Sequence, residues 1–600
     1  KATYGRKGDK IVQMNYDAID AGAKQVVEIA VPESWKDAAD EGLTTPHVGE
    51  GGRADVVDFV KNIQAKVNAQ EGNTLPVSAF NEYVDGSTPS GSSAYEKRGI
   101  AVDIPIWQPD NCIQCNRCAY VCPHAVIRPI ALTEEEAANA PEGMDMIDMM
   151  GMPNMKFSIA VSAYDCTGCG SCANVCPGKK GEKALVMGNM EANAGKQDFF
   201  NYGTELPIKP EVVAKFKETT VKGSQFKQPL LEFSGACAGC GETPYAKLIT
   251  QLFGDRMYIA NATGCSSIWG NSSPSTPYTV NPQGRGPAWS NSLFEDNAEF
   301  GYGMLLAQNT IRERLKASVE KLAENGVNDD VKAAAQEYLD TFSVGATNGT
   351  ATDKLVKALE DCDCGCAERA ELLKNKDFLA KKSQWIFGGD GWAYDIGFGG
   401  VDHVLASGQD INIMVFDTEV YSNTGGQSSK ATKTGATAQF AAGGKETKKK
   451  DLAGIAMSYG YVYVAQIAMG ADFNQTVKAI AEAEAYPGPS LIIAYAPCIN
   501  HGIKKGMSKA QTEEQLAVEC GYWNNFRFNP EAEKKFTLDS KEPKGDYQEF
   551  LNGEVRYNAL MRANPEKAQR LFAQNEAEAM ERYEYLKGLV NLYDGTAKED

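Results

Sequence analysis

The sequence predicts an α/β protein in which a parallel sheet covered by helices is joined to a small, cysteine-rich α+β domain. Helical patterns alternate with apolar, strand-like runs, as expected for a parallel sheet with helices on its faces. These runs lie near 384–388, 411–416, 461–466 and 491–495. Eight of the 16 cysteines belong to one spaced pattern that occurs twice. Six hundred residues also exceed what one core normally holds, so several domains are expected.

Charge and hydropathy restrict the class of partner. A formal net charge of -19 argues against nucleic acid or an anionic membrane as the main partner. No apolar run approaches the roughly 20 residues needed to span a bilayer. The chain begins with Lys1 rather than Met and enters a periodic segment at once. We therefore expect it to begin within a domain of a longer polypeptide.

The repeated pattern reads CIQCNRCAYVCP at 112–123 and CTGCGSCANVCP at 166–177. The spacing C-x2-C-x2-C-x3-C-P is typical of bacterial ferredoxins that hold two 4Fe–4S clusters. Because the fourth cysteine leads away from its own loop, it is predicted to ligate the other cluster. One cluster would take Cys112, Cys115, Cys118 and Cys176, and the second Cys166, Cys169, Cys172 and Cys122. Two four-cysteine zinc knuckles are the alternative, but they leave the third thiolate and the trailing proline unexplained.

A further set of cysteines is dispersed along the chain. CAGCGE at 237–242 supplies another C-x2-C pair, Cys265 follows in NATGCSSIWG, and Cys498 ends the apolar run IIAYAPC. Four thiolates from separate loops could ligate a third 4Fe–4S cluster. The spacing alone fits zinc or structural thiols equally well.

Two glycine-containing turns follow neighbouring predicted strands. SQWIFGGDGWAYDIGFGG (383–400) passes from a strand through a GDG turn into a helix, and INIMVFDTEVYSNTGGQ (411–427) breaks into a polar turn. This pairing is typical of a thiamine diphosphate site, where Gly389 and Gly391 would expose backbone N–H groups to the diphosphate. Mg2+ would take oxygens from Asp390, Thr418 and the Val420 carbonyl. A lone GDG would be a plain turn; the second turn favours the cofactor.

Together with the ferredoxin pattern, these stretches resemble the carboxyl-terminal half of single-chain pyruvate:ferredoxin (flavodoxin) oxidoreductase, as do NATGCSSIWGNSSPSTPYTVNPQGRGPAWSNSLFEDNAEFGYGM and DTEVYSNTGGQSSKATKTGA. The resemblance implies a thiamine-diphosphate-binding fold and a proximal 4Fe–4S cluster on Cys237, Cys240, Cys265 and Cys498. It implies cofactor contacts from Glu242, Cys265, Gly389, Asp390, Gly391, Trp392, Thr418, Glu419, Val420, Tyr421, Ser422 and Asn423. In the family, the residue matching Asn423 faces the substrate, so Asn423 is predicted to be catalytic.

The resemblance further implies the oxidative decarboxylation of pyruvate with coenzyme A to acetyl-CoA and CO2. Electrons would pass from thiamine diphosphate through three 4Fe–4S clusters to ferredoxin or flavodoxin; another 2-oxo acid is the alternative substrate. Such carriers are usually acidic, so we expect a local Lys/Arg patch near the distal cluster. The family implies a homodimer, and low-potential cubes with exposed edges suggest a cytoplasm with little oxygen. It also implies an amino-terminal half of the same enzyme that carries the glutamate activating the aminopyrimidine ring.

Two other classes remain open at this point. An electron-carrier module explains the ferredoxin pattern but leaves GDG and its partner turn unexplained. A non-redox thiamine decarboxylase or acetolactate-type synthase predicts no proximal cluster, and therefore iron for two clusters only.

The predicted organisation has four parts: the end of an upstream α/β domain (1–52), a helix and linker (53–95), the ferredoxin-like domain (96–205), and the thiamine-type domain with a carboxyl-terminal helical arm (206–600). Within the last part, DCDCGC carries Cys362, Cys364 and Cys366 at alternate positions. This spacing does not match a cluster pattern, so we predict a surface insertion with free thiols.

Overall fold

The structure is a computed structural model that describes residues 5, 8–37, 52–272, 275–325 and 328–593. The chain divides into two compact units, 1–47 and 48–600. The described part of the first unit contains the helix Asp9–Lys24, an irregular stretch and the short 3-10 helix Glu33–Asp37, and residues 8–37 contain no strand. The assignment of 1–52 to an upstream α/β domain stays a prediction, and residues 38–51 lie outside the described residues.

The second unit opens with one helix and a short linker. Ala54–Phe59, the π-helical turn Val60–Gln64 and Ala65–Asn68 follow one another without a break. Val56, Phe59, Val60 and Ile63 are buried, which places the apolar stripe of this helix against protein.

Two small antiparallel sheets build the cysteine-rich region. β1 (Asp103–Trp107) pairs with β5 (Leu185–Asn189), and β2 (Ile127–Thr133), β4 (Met155–Val161) and β3 (Ile147–Asp148) form a three-stranded sheet in that order. Its α-helices are Arg117–Tyr120, Glu134–Ala138, Ser171–Val175, Gln197–Glu205, Pro210–Phe216 and Val221–Ser224. The two cysteine-bearing helices of this region begin immediately after Asn116 and Gly170, both in the left-handed conformation that turns each loop.

An eight-stranded sheet forms the body of the remaining chain. Its strands are β6 (Met257–Ala262), β7 (Ala288–Ser292), β8 (Ser383–Gly389), β9 (Asn412–Asp417), β10 (Tyr463–Ile467), β11 (Ser490–Tyr495), β12 (Phe526–Phe528) and β13 (Phe536–Leu538). The order is β13-β12-β10-β11-β9-β8-β6-β7. The six strands from β10 to β7 are parallel, and β12 and β13 add an antiparallel edge. The four predicted strands are confirmed as β8 to β11.

Helices cover both faces of this sheet. The α-helices of this part of the chain are Thr243–Phe253, Cys265–Ser267, Asn297–Asn325, Asp329–Asp340, Gly345–Glu360, Ala367–Lys374, Phe398–Ala406, Leu452–Met457, Phe473–Ala485, Ala510–Glu519, Tyr547–Asn552, Val555–Ala563 and Pro565–Tyr593. Two hydrophobic cores lie on opposite faces. Ile386 belongs to one, while its neighbours Trp385 and Phe387 belong to the other, as alternation along β8 requires.

Two peripheral helical segments pack in different ways. Four helices between 297 and 374 enclose a separate core, in which Cys362 is buried and Cys364 and Cys366 are half-buried. The predicted surface insertion therefore has an interior, and Cys362 belongs to it. Leu571 and Phe572 of the last helix pack into the main core, so that helix is part of the domain. Among the described helices, none combines the length and apolar character that a membrane crossing requires.

Candidate functional site: a thiamine-type cavity beside three cysteine clusters

A cavity opens where the parallel strands β6, β8 and β9 end. Carboxyl ends of parallel strands meet at one edge of a sheet, and ligands bind there in open α/β folds. Eleven of the twelve residues predicted to contact the thiamine cofactor line this cavity: Glu242, Cys265, Gly389, Asp390, Gly391, Trp392, Thr418, Val420, Tyr421, Ser422 and Asn423. Thr263, Gly264, Ser266, Phe294 and Thr424 complete the lining.

Three oxygens predicted to bind Mg2+ converge at one side of the cavity. The Thr418 Oγ1 atom lies 3.0 Å from Asp390 Oδ1 and 3.0 Å from the Val420 carbonyl oxygen. Neighbouring oxygens of an octahedral site with bonds of about 2.1 Å are separated by about 3.0 Å, so the spacing fits Mg2+. All three are hard oxygen donors, as this ion prefers.

The charge at Asp390 also favours a cation. Its carboxylate is fully buried and accepts a hydrogen bond at 2.5 Å from the Ser429 hydroxyl. Burial, and then the nearby Asp417 carboxylate, raise the pKa of Asp390 well above its usual range. A divalent ion at this position would restore the ionised form, because it supplies the missing positive charge.

The GDG turn leaves space for a ligand to approach the protein backbone. A Cβ atom added at Gly391 would meet the Tyr421 ring at 2.6 Å, so only glycine fits between the two turns. A Cβ at Gly389 would have only the Phe416 carbonyl, at 3.9 Å, as a neighbour. The turn leads directly into the π-helical segment Gly391–Ile396, whose first two residues line the cavity. This arrangement fits a diphosphate.

Glu419 is the one predicted cofactor residue whose side chain does not line the cavity. It is completely buried, in ion pairs with Lys449 Nζ at 3.1 Å and Arg556 Nη1 at 2.9 Å. Burial alone would raise the pKa of Glu419, but Lys449 and Arg556 outweigh it and hold that pKa well below its usual range. Lys449 also pairs with Asp417 at 2.7 Å. The carboxylates behind the cavity are thus neutralised by protein cations.

Glu242 brings a carboxyl group to the cavity beside the cysteines. It accepts a hydrogen bond at 2.7 Å from Trp269 Nε1. Burial raises the pKa of Glu242 to about 7, although the hydrogen bond from Trp269 lowers it. The same residue precedes the helix Thr243–Phe253, which fixes its position relative to the CAGC loop.

The four dispersed cysteines come together next to this cavity. The thiol of Cys265 lies within electrostatic range of Cys237, Cys240 and Cys498, and it lines the cavity itself. The loops approach closely, since the Gly241 N–H donates to the Pro497 carbonyl at 3.2 Å and a Cβ at Gly241 would lie 2.6 Å from Pro497 N. Burial raises the pKa of the Cys240 and Cys265 thiols, so metal binding would have to displace their protons.

The eight cysteines of the doubled pattern separate into two groups across the repeat. Cys112, Cys115, Cys118 and Cys176 line one small cavity together with Trp107. Cys166 and Cys169 have Cys122 as a near neighbour, and so does Cys172. All sixteen cysteines are free thiols. Burial raises the pKa of Cys166 to about 12. In the described residues, no three His, Cys, Asp or Glu side chains are arranged to hold a single metal ion.

The second of these groups touches the dispersed set. The Gly239 backbone lies close to the Cys169 thiol, and a Cβ at Gly170 would lie 3.5 Å from Ser508. Met507, beside Ser508, closes over Gly239. These contacts join the Cys166 group to the dispersed group.

Comparison with protein families supports the two parts of the chain. Residues 370–494 match the C-terminal TPP binding domain of thiamine pyrophosphate enzymes, and 111–180 match the 4Fe-4S dicluster domain. A domain of unknown function named EKR matches 51–101. The chain therefore combines a thiamine-diphosphate-binding fold with a dicluster ferredoxin domain. The dicluster match at 111–180 lies inside the predicted domain 96–205, and the exact limits of that domain stay a prediction.

Long relatives cover nearly the whole chain. It is 54% identical over 599 residues to the pyruvate-flavodoxin oxidoreductase of Enterobacter agglomerans. This alignment covers 98% of this chain and 50% of the relative. It is 54% identical over 601 residues to the pyruvate:ferredoxin oxidoreductase of Moorella thermoacetica, again 98% of this chain and 50% of the relative. Over nearly its whole length, the chain is similar to half of these oxidoreductases. It spans about half the length of these relatives.

A solved structure gives a more distant likeness. The 2-oxoglutarate:ferredoxin oxidoreductase from Magnetococcus marinus, with 2-oxoglutarate, coenzyme A and succinyl-CoA bound, is 15% identical, with a TM-score of 0.25 over 44% of this chain and 65% of that chain. At this distance, the likeness bears on neither fold nor function.

Sequence reasoning missed several residues that shape the site. Ser429 donates a hydrogen bond to Asp390 from 39 positions away, and Phe294 lines the cavity. Lys449 neutralises Asp417 from a run of three lysines that reads as a solvated surface segment. Ser429 lies in the stretch SNTGGQSSKATKTGA, and this stretch was the sequence signal that could have identified it.

Proposed function

We propose that the polypeptide containing this chain oxidatively decarboxylates pyruvate with coenzyme A to acetyl-CoA and CO2. Electrons would pass through three 4Fe–4S clusters to ferredoxin or flavodoxin. One observation carries this proposal: Cys265 belongs at once to the wall of the thiamine-type cavity and to a group of four thiols. A cofactor in that cavity and a cluster on those thiols would be neighbours.

The residues of this chain would act by binding and orientation. Thiamine diphosphate supplies the carbon nucleophile and electron sink for the decarboxylation. The Gly389–Gly391 amides would hold its diphosphate, and Asp390, Thr418 and the Val420 carbonyl would hold Mg2+. Asn423 lies exposed at the mouth of the cavity, where its amide would donate to the substrate oxygen that gains negative charge.

The clusters would conduct the electrons in a fixed order. The proximal cluster would use Cys237, Cys240, Cys265 and Cys498; the middle one Cys166, Cys169, Cys172 and Cys122; and the distal one Cys112, Cys115, Cys118 and Cys176. Support comes from the contact between Gly239 and Cys169, which joins the first two groups, and from the sharing of cysteines across the repeat.

The electron acceptor would dock over the distal group, where basic residues collect. Arg117 is exposed between Cys115 and Cys118, and Lys222 lies within electrostatic range of both Cys112 and Cys115. The exposed residues Lys179, Lys180 and Lys183 lie in the segment that follows Cys176 and Pro177. In a chain of net charge -19, this distal basic patch would attract an acidic carrier.

The remaining parts of the proposal concern the assembly. We propose a homodimer in the cytoplasm, with the amino-terminal half of the same enzyme completing the active site through a glutamate at the aminopyrimidine ring. The domain limits 53–95, 96–205 and 206–600 belong to the same proposal.

The deciding experiment uses the intact polypeptide under anaerobic conditions. Iron, sulfide and thiamine are quantified, and dye reduction is then followed with pyruvate or 2-oxoglutarate, each with and without coenzyme A. We expect iron for three cubes, and reduction that needs pyruvate and coenzyme A. Iron for two cubes would favour a non-redox thiamine enzyme, and absence of thiamine binding would favour an electron carrier.

A further inference from the structure

The loop after Cys498 is bonded to the turn that carries the Mg2+ oxygens. Asn500 Nδ2 donates to the Ser422 carbonyl at 3.2 Å, and His501 Nε2 donates to the Thr418 carbonyl at 2.7 Å. Two consecutive side chains, placed directly behind the fourth cysteine of the proximal group, thus hold two carbonyls of the cofactor turn.

The orientation of His501 is fixed from several sides. Its ring is completely buried and stacks on Tyr495, with centroids 6.1 Å apart and planes 20° apart. Its Nδ1 atom faces the Glu554 carboxylate at 3.7 Å, and Arg556 Nε in turn holds Glu554 at 2.6 Å. A ring that cannot rotate makes the bond to the Thr418 carbonyl directional.

The turn itself transmits this contact to the cation oxygens. Thr418 Oγ1 and Ser422 Oγ are 2.6 Å apart, and the Thr418 N–H donates to Asp390 Oδ1 at 3.2 Å. The carbonyls that Asn500 and His501 hold belong to residues whose hydroxyls meet at the predicted Mg2+ position. Displacement of the Cys498 loop would therefore displace the oxygens around the cation.

We propose that Asn500 and His501 are positioning residues that couple the proximal cluster to the thiamine diphosphate–Mg2+ site, so that occupancy of either site strengthens binding at the other. The inference rests on the proposed cofactors. A cluster that fixes Cys498 fixes the loop, the two side chains fix the turn, and the turn presents the cation oxygens. Because coupling of binding free energies is reciprocal, the cofactor must stabilise the cluster to the same extent.

A double-mutant cycle on the intact polypeptide tests the coupling. Calorimetry under anaerobic conditions measures the Kd of thiamine diphosphate with Mg2+ in four proteins: the parent, Cys237→Ser, Asn500→Ala/His501→Phe, and the combination. Cys237 is exposed and bonds to no residue of the cofactor turn, so its loss removes the proximal cluster and spares the link. The phenyl ring keeps the stack on Tyr495 and lacks the donor. Iron analysis verifies loss of one cube.

We expect Cys237→Ser to weaken cofactor binding about tenfold in the parent, a typical coupling, and to change it little once the two side chains are replaced. The variant His501→Gln can place a donor at the position of the histidine Nε2 atom. It should therefore retain most of the coupling that the Asn500→Ala/His501→Phe variant loses. Ile499→Ala is the matched control in the same loop, since its side chain is 55% exposed, and it should leave the coupling intact.

Two outcomes would overturn the inference alone: an equal effect of Cys237→Ser in both backgrounds, or no effect in the parent. If the double variant does not fold, the single change Asn500→Ala, at an exposed position, replaces it in the cycle. A parent that binds no thiamine diphosphate, or holds iron for two cubes only, would overturn the proposed function together with the coupling.

Discussion

Asn423 stands at the cavity mouth on a turn held by its backbone, since the Tyr421 N–H donates to the Gln427 carbonyl at 2.9 Å. Asn423→Ala should therefore leave the turn intact and remove one donor to the substrate. We expect kcat for pyruvate-dependent dye reduction to fall about 10²–10³-fold, the usual effect of losing such a donor. Calorimetry should show nearly unchanged thiamine diphosphate binding. An unaltered kcat would exclude a catalytic role.

Glu514 provides a test of pH dependence away from the cofactors. Its buried carboxyl accepts hydrogen bonds from Gly470 N at 2.7 Å and from Tyr245 OH at 3.1 Å. Burial raises the pKa of Glu514 from 4.5 to about 8. The folded chain keeps a proton that the unfolded chain has lost, so the stability from this group falls as pH rises from 4.5 to about 8.

Glu514→Gln keeps the shape of the side chain and cannot ionise. We expect the fall in Tm between about pH 6 and about pH 9 to be smaller in this variant than in the parent. Thermal unfolding at both pH values measures the difference. An equal fall in both proteins would mean that Glu514 is already ionised at neutral pH.

Single site residues were predictable from sequence where they belong to a short, recognisable pattern. Asp390 and Thr418 follow strands in recognisable turns, and the structure brings them to 3.0 Å. His501 was not predictable, because its role depends on a carbonyl 83 positions away. Backbone acceptors leave no mark in a sequence, so such contacts require coordinates.

At the scale of elements, the entry into the π-helical segment after β8 depends on a missing side chain. Gly391→Ala would place a Cβ 2.6 Å from the Tyr421 ring and force the two turns apart. We expect thiamine diphosphate affinity to fall at least about tenfold, while iron content stays unchanged.

Gly399→Ala is the matched control in the next helix, Phe398–Ala406. A Cβ there meets nothing within 4 Å. This variant should bind the cofactor normally and gain about 0.5–1 kcal/mol of stability, because alanine suits an exposed helical position better. Equal cofactor affinity in both variants would show that the turns tolerate separation. Calorimetry and thermal unfolding measure the two effects.

The elements found from sequence were those with continuous apolar character. β9 and β11 are buried along their whole length, and so their runs of apolar residues were distinct. The edge strands β7 and β13, and β12 beside β13, are short or half-exposed, and their patterns resemble those of loops. The helical insertion was recognised, but the burial of Cys362 depends on packing between helices that local sequence does not specify.

At the scale of the whole molecule, charge is distributed unevenly. Lys179→Glu/Lys180→Glu should weaken the reduction of an acidic ferredoxin at low salt, seen as a rise in KM, and remove most of its salt dependence. Lys354→Glu/Lys357→Glu makes the same charge change on the helix Gly345–Glu360 and serves as the control. A carrier whose KM does not rise with added salt in the parent would contradict docking at the distal basic patch.

The exchange of Cys122 and Cys176 between the two cysteine loops has a consequence for maturation. In the proposed ligand sets, neither loop provides all four thiols of its own cube, since Cys176 lies with Cys112, Cys115 and Cys118. Iron and sulfide could enter only after both loops had left the ribosome and met. A nascent chain arrested between 123 and 166 would therefore accumulate no finished cube, and the two would appear together in time.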